Sequence, residues 1–171
     1  MATNTKTSAT GKASEKEKNT IPKDIDPNMT IPVRNGFQGG LVYVSPRTKE
    51  VYRWEEFNEI QEVELRELRN AKSASKAFFM NNWFMFDDEY DWVIDYLGVR
   101  QYYENALSIN EFETLFTLSP AEITKVISKL SKGQKRSVAY KAKQMVADGE
   151  IDSNKVIATL EKALGVELVE K

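Results

Sequence analysis

The hydrophobic pattern of this chain changes period once, near residue 64, and that change restricts it to a fold in which strands and helices are segregated. Upstream, Leu41-Val42-Tyr43-Val44 and Glu50-Val51-Tyr52-Arg53-Trp54 are β-rich runs on either side of Ser45-Pro46-Arg47-Thr48-Lys49. Two such runs around a Pro-containing turn predict an antiparallel hairpin. Asn35-Gly36 and Gly39-Gly40 mark the preceding turn, and Ile60-Gln61-Glu62-Val63 supplies a further short strand. Residues 33–63 are therefore expected to form a small antiparallel meander of three or four strands.

Downstream the apolar residues recur at helical spacing. Leu65, Leu68 and Phe79 predict a helix from about Glu64 to Met80, and Asp88 is placed to cap a helix carrying Tyr90, Val93, Ile94 and Leu97 that Gly98 should end. Short helices are expected over 101–106 and 110–116. Ser119-Pro120 then sets an N-cap before a proline at the first helical position, followed by Ile123, Val126, Ile127 and Leu130 on one face. Ser131-Lys132-Gly133 should break that helix. A second carries Val138, Ala142, Met145 and Val146 as far as Asp148-Gly149, and a third, capped by Asp152 or Ser153, carries Val156, Ile157, Leu160 and Leu164 before Gly165. The expected fold class is α+β: a small antiparallel β-meander followed by a mainly helical body ending in a three-helix unit.

The organisation expected along the chain is an arm over 1–32, the meander over 33–63, an acidic, aromatic-rich helical region over 64–118, and a basic three-helix unit over 119–171. The first nineteen residues contain no Ile, Leu, Val or aromatic side chain, too little apolar surface to offset the entropy of ordering. Ile21-Pro22, Asp26-Pro27 and Ile31-Pro32 favour extended backbone next. The arm is thus expected to be disordered, then a stiff strap, and to dock onto a partner together with an aromatic patch around Trp83.

The 171 residues include no cysteine and no histidine. Disulfide frameworks, zinc fingers, cysteine nucleophiles and His-based triads are excluded on that count. Asp24, Asp26 and Asn28 open like a calcium loop, but Met29 stands where glycine is needed and Asn35 where a bidentate Glu is needed. Asp87, Asp88, Glu89 and Asp91 are better placed to complement a helix dipole than to hold a metal. Gly36 and Gly39-Gly40 read as turn glycines, not as a phosphate loop. No catalytic residue, cofactor or metal is expected. Apolar runs are short, so no membrane partner is expected and the protein should be soluble and intracellular.

Two distributions bear on partners. Ten of the eighteen aromatic residues fall between Phe78 and Tyr103. Core packing is the plain reading of most; a helical period cannot internalise all of them, so Trp83, Phe84, Phe86 and Trp92 are candidates for a protein-binding patch. Charge is also segregated. From Glu55 to Asp95 eleven acidic residues face four basic ones, whereas from Ala121 to Ala147 seven basic residues face Glu122 alone. A basic three-helix unit invites a helix-turn-helix reading with Lys125, Lys129, Lys132, Lys135 and Arg136 as nucleic-acid contacts, against which Lys-rich solvated faces are ordinary on small bundles.

The polar arm, the meander introduced by Val33-Arg34-Asn35-Gly36, then Leu41-Val42-Tyr43-Val44 and Trp54, and the small helices ending in Gln134-Lys135-Arg136 resemble small virion-associated proteins of tailed bacteriophages and prophages of Gram-positive bacteria. The resemblance spans roughly Val33 to Leu168. It implies a non-enzymatic structural or assembly protein, a capsid accessory or head-tail component, located in the virion and in the host cytoplasm during assembly. Implied partners are capsid, portal or tail subunits, or further copies of the chain. The alternative is a DNA-associated accessory or regulatory protein using the basic C-terminal unit. No functional residue is carried over from the resemblance.

Overall fold

A computed structural model describes residues 20–170; the disordered arm expected over 1–19 lies outside the described residues. Among the described residues five short strands form two antiparallel sheets: β1 (Thr30–Asn35), β2 (Leu41–Val44), β3 (Val51–Trp54), β4 (Ile60–Glu64) and β5 (Phe84–Phe86). The hairpin is β2–β3, with Leu41 opposite Trp54 and Val44 opposite Val51. The other sheet has the order β4-β1-β5, so its strands are not consecutive neighbours as in a meander. The α+β class is the one expected; the connectivity differs.

Its centre is β1, which begins at Thr30 inside the segment expected as a strap. Ile31, Val33 and Asn35 are fully buried, and Thr30, Pro32 and Arg34 form the other face, a period-two pattern that fixes the strand's orientation. Proline is tolerated here for a local reason. The Asn35 N–H donates toward β4, to the Glu59 carbonyl (3.0 Å), so by alternation Pro32 faces the β5 flank. There β5 ends at Phe86, opposite Val33, and no ladder bond is lost.

Helices follow as α1 (Leu65–Ala74), α2 (Ala77–Met80), α3 (Trp92–Leu97), α4 (Ile109–Thr114), α5 (Pro120–Ser128), α6 (Lys132–Ala147) and α7 (Asn154–Leu164). The helix expected to run from 64 to 80 is broken at Ser75, whose backbone leaves the helical region. Asp88 does not cap α3; residues 88–90 form a separate 3-10 turn, and α3 starts at Trp92. Its end at Gly98, in the left-handed region, is as expected. The C-terminal caps also appear where the sequence sets them: Ser119 and Glu122 form a reciprocal capping box on α5, and Ser153 caps α7. The Ser131-Lys132-Gly133 break is a cap and first turn instead, with Ser131 accepting from the Gln134 N–H.

Two hydrophobic cores result. The first gathers Ile31, Val33, Tyr43, Trp54, Val63, Leu68, Phe79, Phe84 and Trp92 with the rest of the sheets and α1–α3. The second gathers Phe112, Leu115, Ile123, Ile127, Val138, Ala142 and Leu160, and begins at Leu107. The boundary expected at 118/119 therefore falls inside a packed core. Phe57, from the β3–β4 turn, reaches into this second core against Phe112 (ring centroids 5.2 Å).

Between the cores runs a polar seam built on α6. Ser137 donates to the Gly36 carbonyl (3.1 Å) and accepts from the Gln38 N–H (3.0 Å). The Gln134 amide pairs with both backbone groups of Leu107, at 2.9 and 3.0 Å. Ser131 donates to Asn82 Oδ1 (2.9 Å), and the Asn82 amide donates to the Tyr102 carbonyl (2.7 Å). Buried polar groups of this kind cost little while fully paired and much when one partner is removed.

Candidate functional site

The four aromatic residues expected to form a surface patch do not form one. Phe84 is fully buried and Trp92 nearly so. Trp83 and Phe86 are half-buried, Trp83 edge-on to Phe78 (5.6 Å) and Phe37 (6.3 Å), Phe86 beside Tyr103 (6.3 Å). The physical reason is the helix break at Ser75 and the insertion of β5. Once the segment is divided among α2, β5 and α3, a helical wheel no longer limits how many rings can face inward, and the aromatic density becomes core.

The acidic cluster is likewise structural. Asp87 holds Arg34 (2.5 Å), while Asp91 and Asp95 both hold the Arg100 guanidinium (2.8 Å each). In the calcium-like segment, Asp26 accepts from the Asn28 N–H and Asn28 accepts from Arg66, a turn tied to α1.

Lys125 lies exposed on α5 and Lys129 exposed at its C-cap, Lys132 and Arg136 lie exposed on α6, and Lys135 is half-buried. Lys129 and Lys132 flank the α5–α6 turn, with Lys125 one turn back on α5 and Lys135 and Arg136 one turn on along α6. The opposite face of α6 is committed, through Gly133, Gln134 and Ser137, to the seam. The outward face continues as Lys132, Arg136, Tyr140 and Lys143, and Tyr140 is 64% exposed. That tyrosine was not among the residues singled out from the sequence; its i, i+4, i+8 spacing with Lys132 and Arg136 was the available signal.

A different surface stands out on the hairpin. Leu41 and Tyr43 point inward, and Val42, Val44 and Val51 are 42%, 48% and 53% exposed. Ser45 donates its N–H to Glu50 on the β3 side, so by alternation Tyr43 and Leu41 also face β3, while the backbone groups of Val42 and Val44 face away from it. Among the described residues β2 pairs only with β3. Its outer flank is a free strand edge bordered by apolar side chains, a geometry that accepts another extended segment. The alternation was legible in the sequence, but which face would be free was not.

The hairpin is held rigidly behind that edge. The Tyr43 hydroxyl donates to the buried Glu67 carboxylate (2.6 Å), and Trp54 donates its indole N–H to the Val33 carbonyl (3.0 Å). Burial, reinforced by the hydrogen bond to Glu67, raises the Tyr43 phenol above its ordinary value; burial does the same for Tyr103, which donates to the Phe84 carbonyl (2.6 Å). Above about pH 10, where tyrosines of the unfolded chain lose their protons, the native state keeps these two. The unfolded state then binds fewer protons, so stability falls as pH rises. Urea midpoints measured from about pH 8 to about pH 11 should decline across that window, and less steeply in Tyr103→Phe; identical profiles for the two proteins would contradict the assignment.

No helix among the described residues is long and apolar enough to cross a membrane. Comparison with family models, with curated proteins and with solved structures finds no match to the chain.

Proposed function

We propose that this chain is a non-enzymatic assembly protein, a virion component of a tailed bacteriophage or prophage that docks onto a capsid, portal or tail subunit. The observation that carries the docking reading is the outer flank of β2, where no described residue pairs with the backbone groups of Val42 and Val44, which lie between exposed valine side chains. The occupant is an extended segment of the partner subunit, added as a further strand. Main-chain hydrogen bonds would supply affinity, and Val42, Val44 and Val51 would select apolar residues at alternate positions. The virion setting rests on the sequence resemblance.

Co-sedimentation with purified particles tests both parts. The native chain should pellet with virions, and Val44→Pro, which removes an outward N–H and no β2–β3 bond, should remain in the supernatant with an unchanged melting temperature. Val42→Lys/Val44→Lys should behave alike. A native chain absent from particles would reject the virion role; retention of both variants on particles would reject the β2 flank as the docking site.

A second reading, contact with nucleic acid through α6, is favoured by the exposed Lys132-Arg136-Tyr140-Lys143 face, which combines cations with an aromatic ring.

A further inference from the structure

A cleft of about 440 Å³ opens between the hairpin turn and the exposed side of α1, lined by Pro27, Arg47, Arg66, Arg69, Asn70 and Ser73. A second lobe of about 270 Å³ continues from it, sharing Arg69 and Ser73 and adding Lys72, Tyr96 and Leu97. Four cations therefore line two adjoining hollows, with Arg69 common to both. They come from distant parts of the chain, since Arg47 belongs to the turn between β2 and β3 while the other three lie on α1. Counted along the sequence, α1 sits in the strongly acidic 55–95 region, but the helix itself carries Arg66, Arg69 and Lys72 against Glu67 alone, and the fold adds Arg47 to them.

The side chains around this cleft are not absorbed by carboxylates. Ion pairs among the described residues hold Arg34 and Arg100. None holds Arg47, Arg66, Arg69 or Lys72, although the surface is rich in acids. Arg66 donates to the neutral Asn28 Oδ1 (2.6 Å), and Arg69 lies over the Tyr96 ring (5.9 Å), an arrangement that fixes its guanidinium at the junction of the two lobes. Ser73 and Asn70 add neutral polar groups. Arginine forks supply paired donors matched to phosphate oxygens.

The spacing argues for a chain of anions over a single one. Arg66, Arg69 and Lys72 recur every three residues, about 4.5 Å of helical rise per step, and run through both lobes. The geometry points to a binding groove for successive phosphate groups, the phosphodiester backbone of single-stranded nucleic acid, along Arg47, Arg66, Arg69 and Lys72. The site is separate from both the β2 flank and the outward face of α6.

Fluorescence-anisotropy titration of the full chain with a labelled 12-mer of single-stranded DNA tests this, at several salt concentrations. The native chain should bind without sequence preference. In Arg47→Gln/Arg69→Gln, affinity at low salt should fall at least tenfold, and the slope of log K against log salt should shrink by about 1.4, two contacts at about 0.7 each for single strands. Ser73→Glu, which places a carboxylate where the lobes meet, should lose affinity similarly without removing any cation. Both variants should keep the native melting temperature. The inference is overturned by no binding to the native chain, or by unchanged affinity in both variants. Loss confined to Lys132→Gln/Arg136→Gln would overturn it in favour of the α6 face. Competition by inorganic phosphate as effective as the oligonucleotide would overturn the chain of phosphates in favour of a single-anion site, and equal competition by a poly-glutamate peptide would replace nucleic acid with an acidic protein partner.

Discussion

Truncation of Phe84 to alanine is expected to lower the free energy of unfolding by about 3–5 kcal/mol, the cost typical of a buried aromatic ring. Phe84 stands at the meeting point of both sheets and α2. Its ring lies 5.8 Å from Tyr43, 5.6 Å from Trp54, 4.8 Å from Phe78 and 5.5 Å from Phe79. Four neighbours from three separate elements cannot all collapse into the space it leaves, so the cavity term persists. For a domain with about 5–15 kcal/mol in total, that loss brings it close to unfolding. Urea denaturation of the two proteins measures it; a loss below about 1 kcal/mol would be the size expected of a surface site and would contradict the packing.

Gly133→Ala should also destabilise, and here the sign is informative. Alanine in place of glycine normally favours a helix by about 1 kcal/mol, and Gly133 lies within the first turn of α6. However, a β-carbon at this position would meet Asn81, at 2.6 Å from its carbonyl oxygen and 2.8 Å from its Cα, besides its Cβ. Backbone cannot swing aside as a flexible side chain would. Relief requires α6 to move off the α2 end, which disturbs Ser131–Asn82 and Gln134–Leu107 together. A loss of about 1–3 kcal/mol or more is expected for such overpacking, read as a lower urea midpoint with unchanged slope. Equal or greater stability would show that α6 does not approach Asn81 so closely.

These two positions also show where sequence reasoning succeeds and fails in this protein. Local signals were sufficient for the hairpin, for the ends of α3 and α7 at Gly98 and Gly165, and for the Ser119 and Ser153 caps, because each is decided within about four residues. Ser131-Lys132-Gly133 reads as a helix break because the need for a missing side chain at Gly133 is set by Asn81, far along the chain. Phe84 reads as a candidate for a surface patch because three residues of β5 carry no period, and only pairing with Val33, Arg34 and Asn35 makes them a strand. Arg47 drew no notice in a turn; its charge matters through neighbours on α1. The buried polar seam was illegible for a related reason: Gln134 and Ser137 look like solvent-facing residues, and the partners that satisfy them are backbone groups, which every sequence has.

The central position of β1 sets a timetable for synthesis. A ribosome releases this strand before either of its two neighbours, which end at Glu64 and Phe86, and the hydroxyl that closes on Gly36 belongs to a residue 101 positions later. At about 5–20 residues per second that last contact cannot form for roughly 5–20 s after Gly36 is made. Until β4 and β5 follow, Ile31 and Val33 have nowhere native to go, and contacts so distant in sequence make for slow closure even after release. The newly made chain therefore presents a sticky strand while it waits, so yield in the cell should depend on growth temperature and on chaperone supply more than the final stability of the folded protein would suggest.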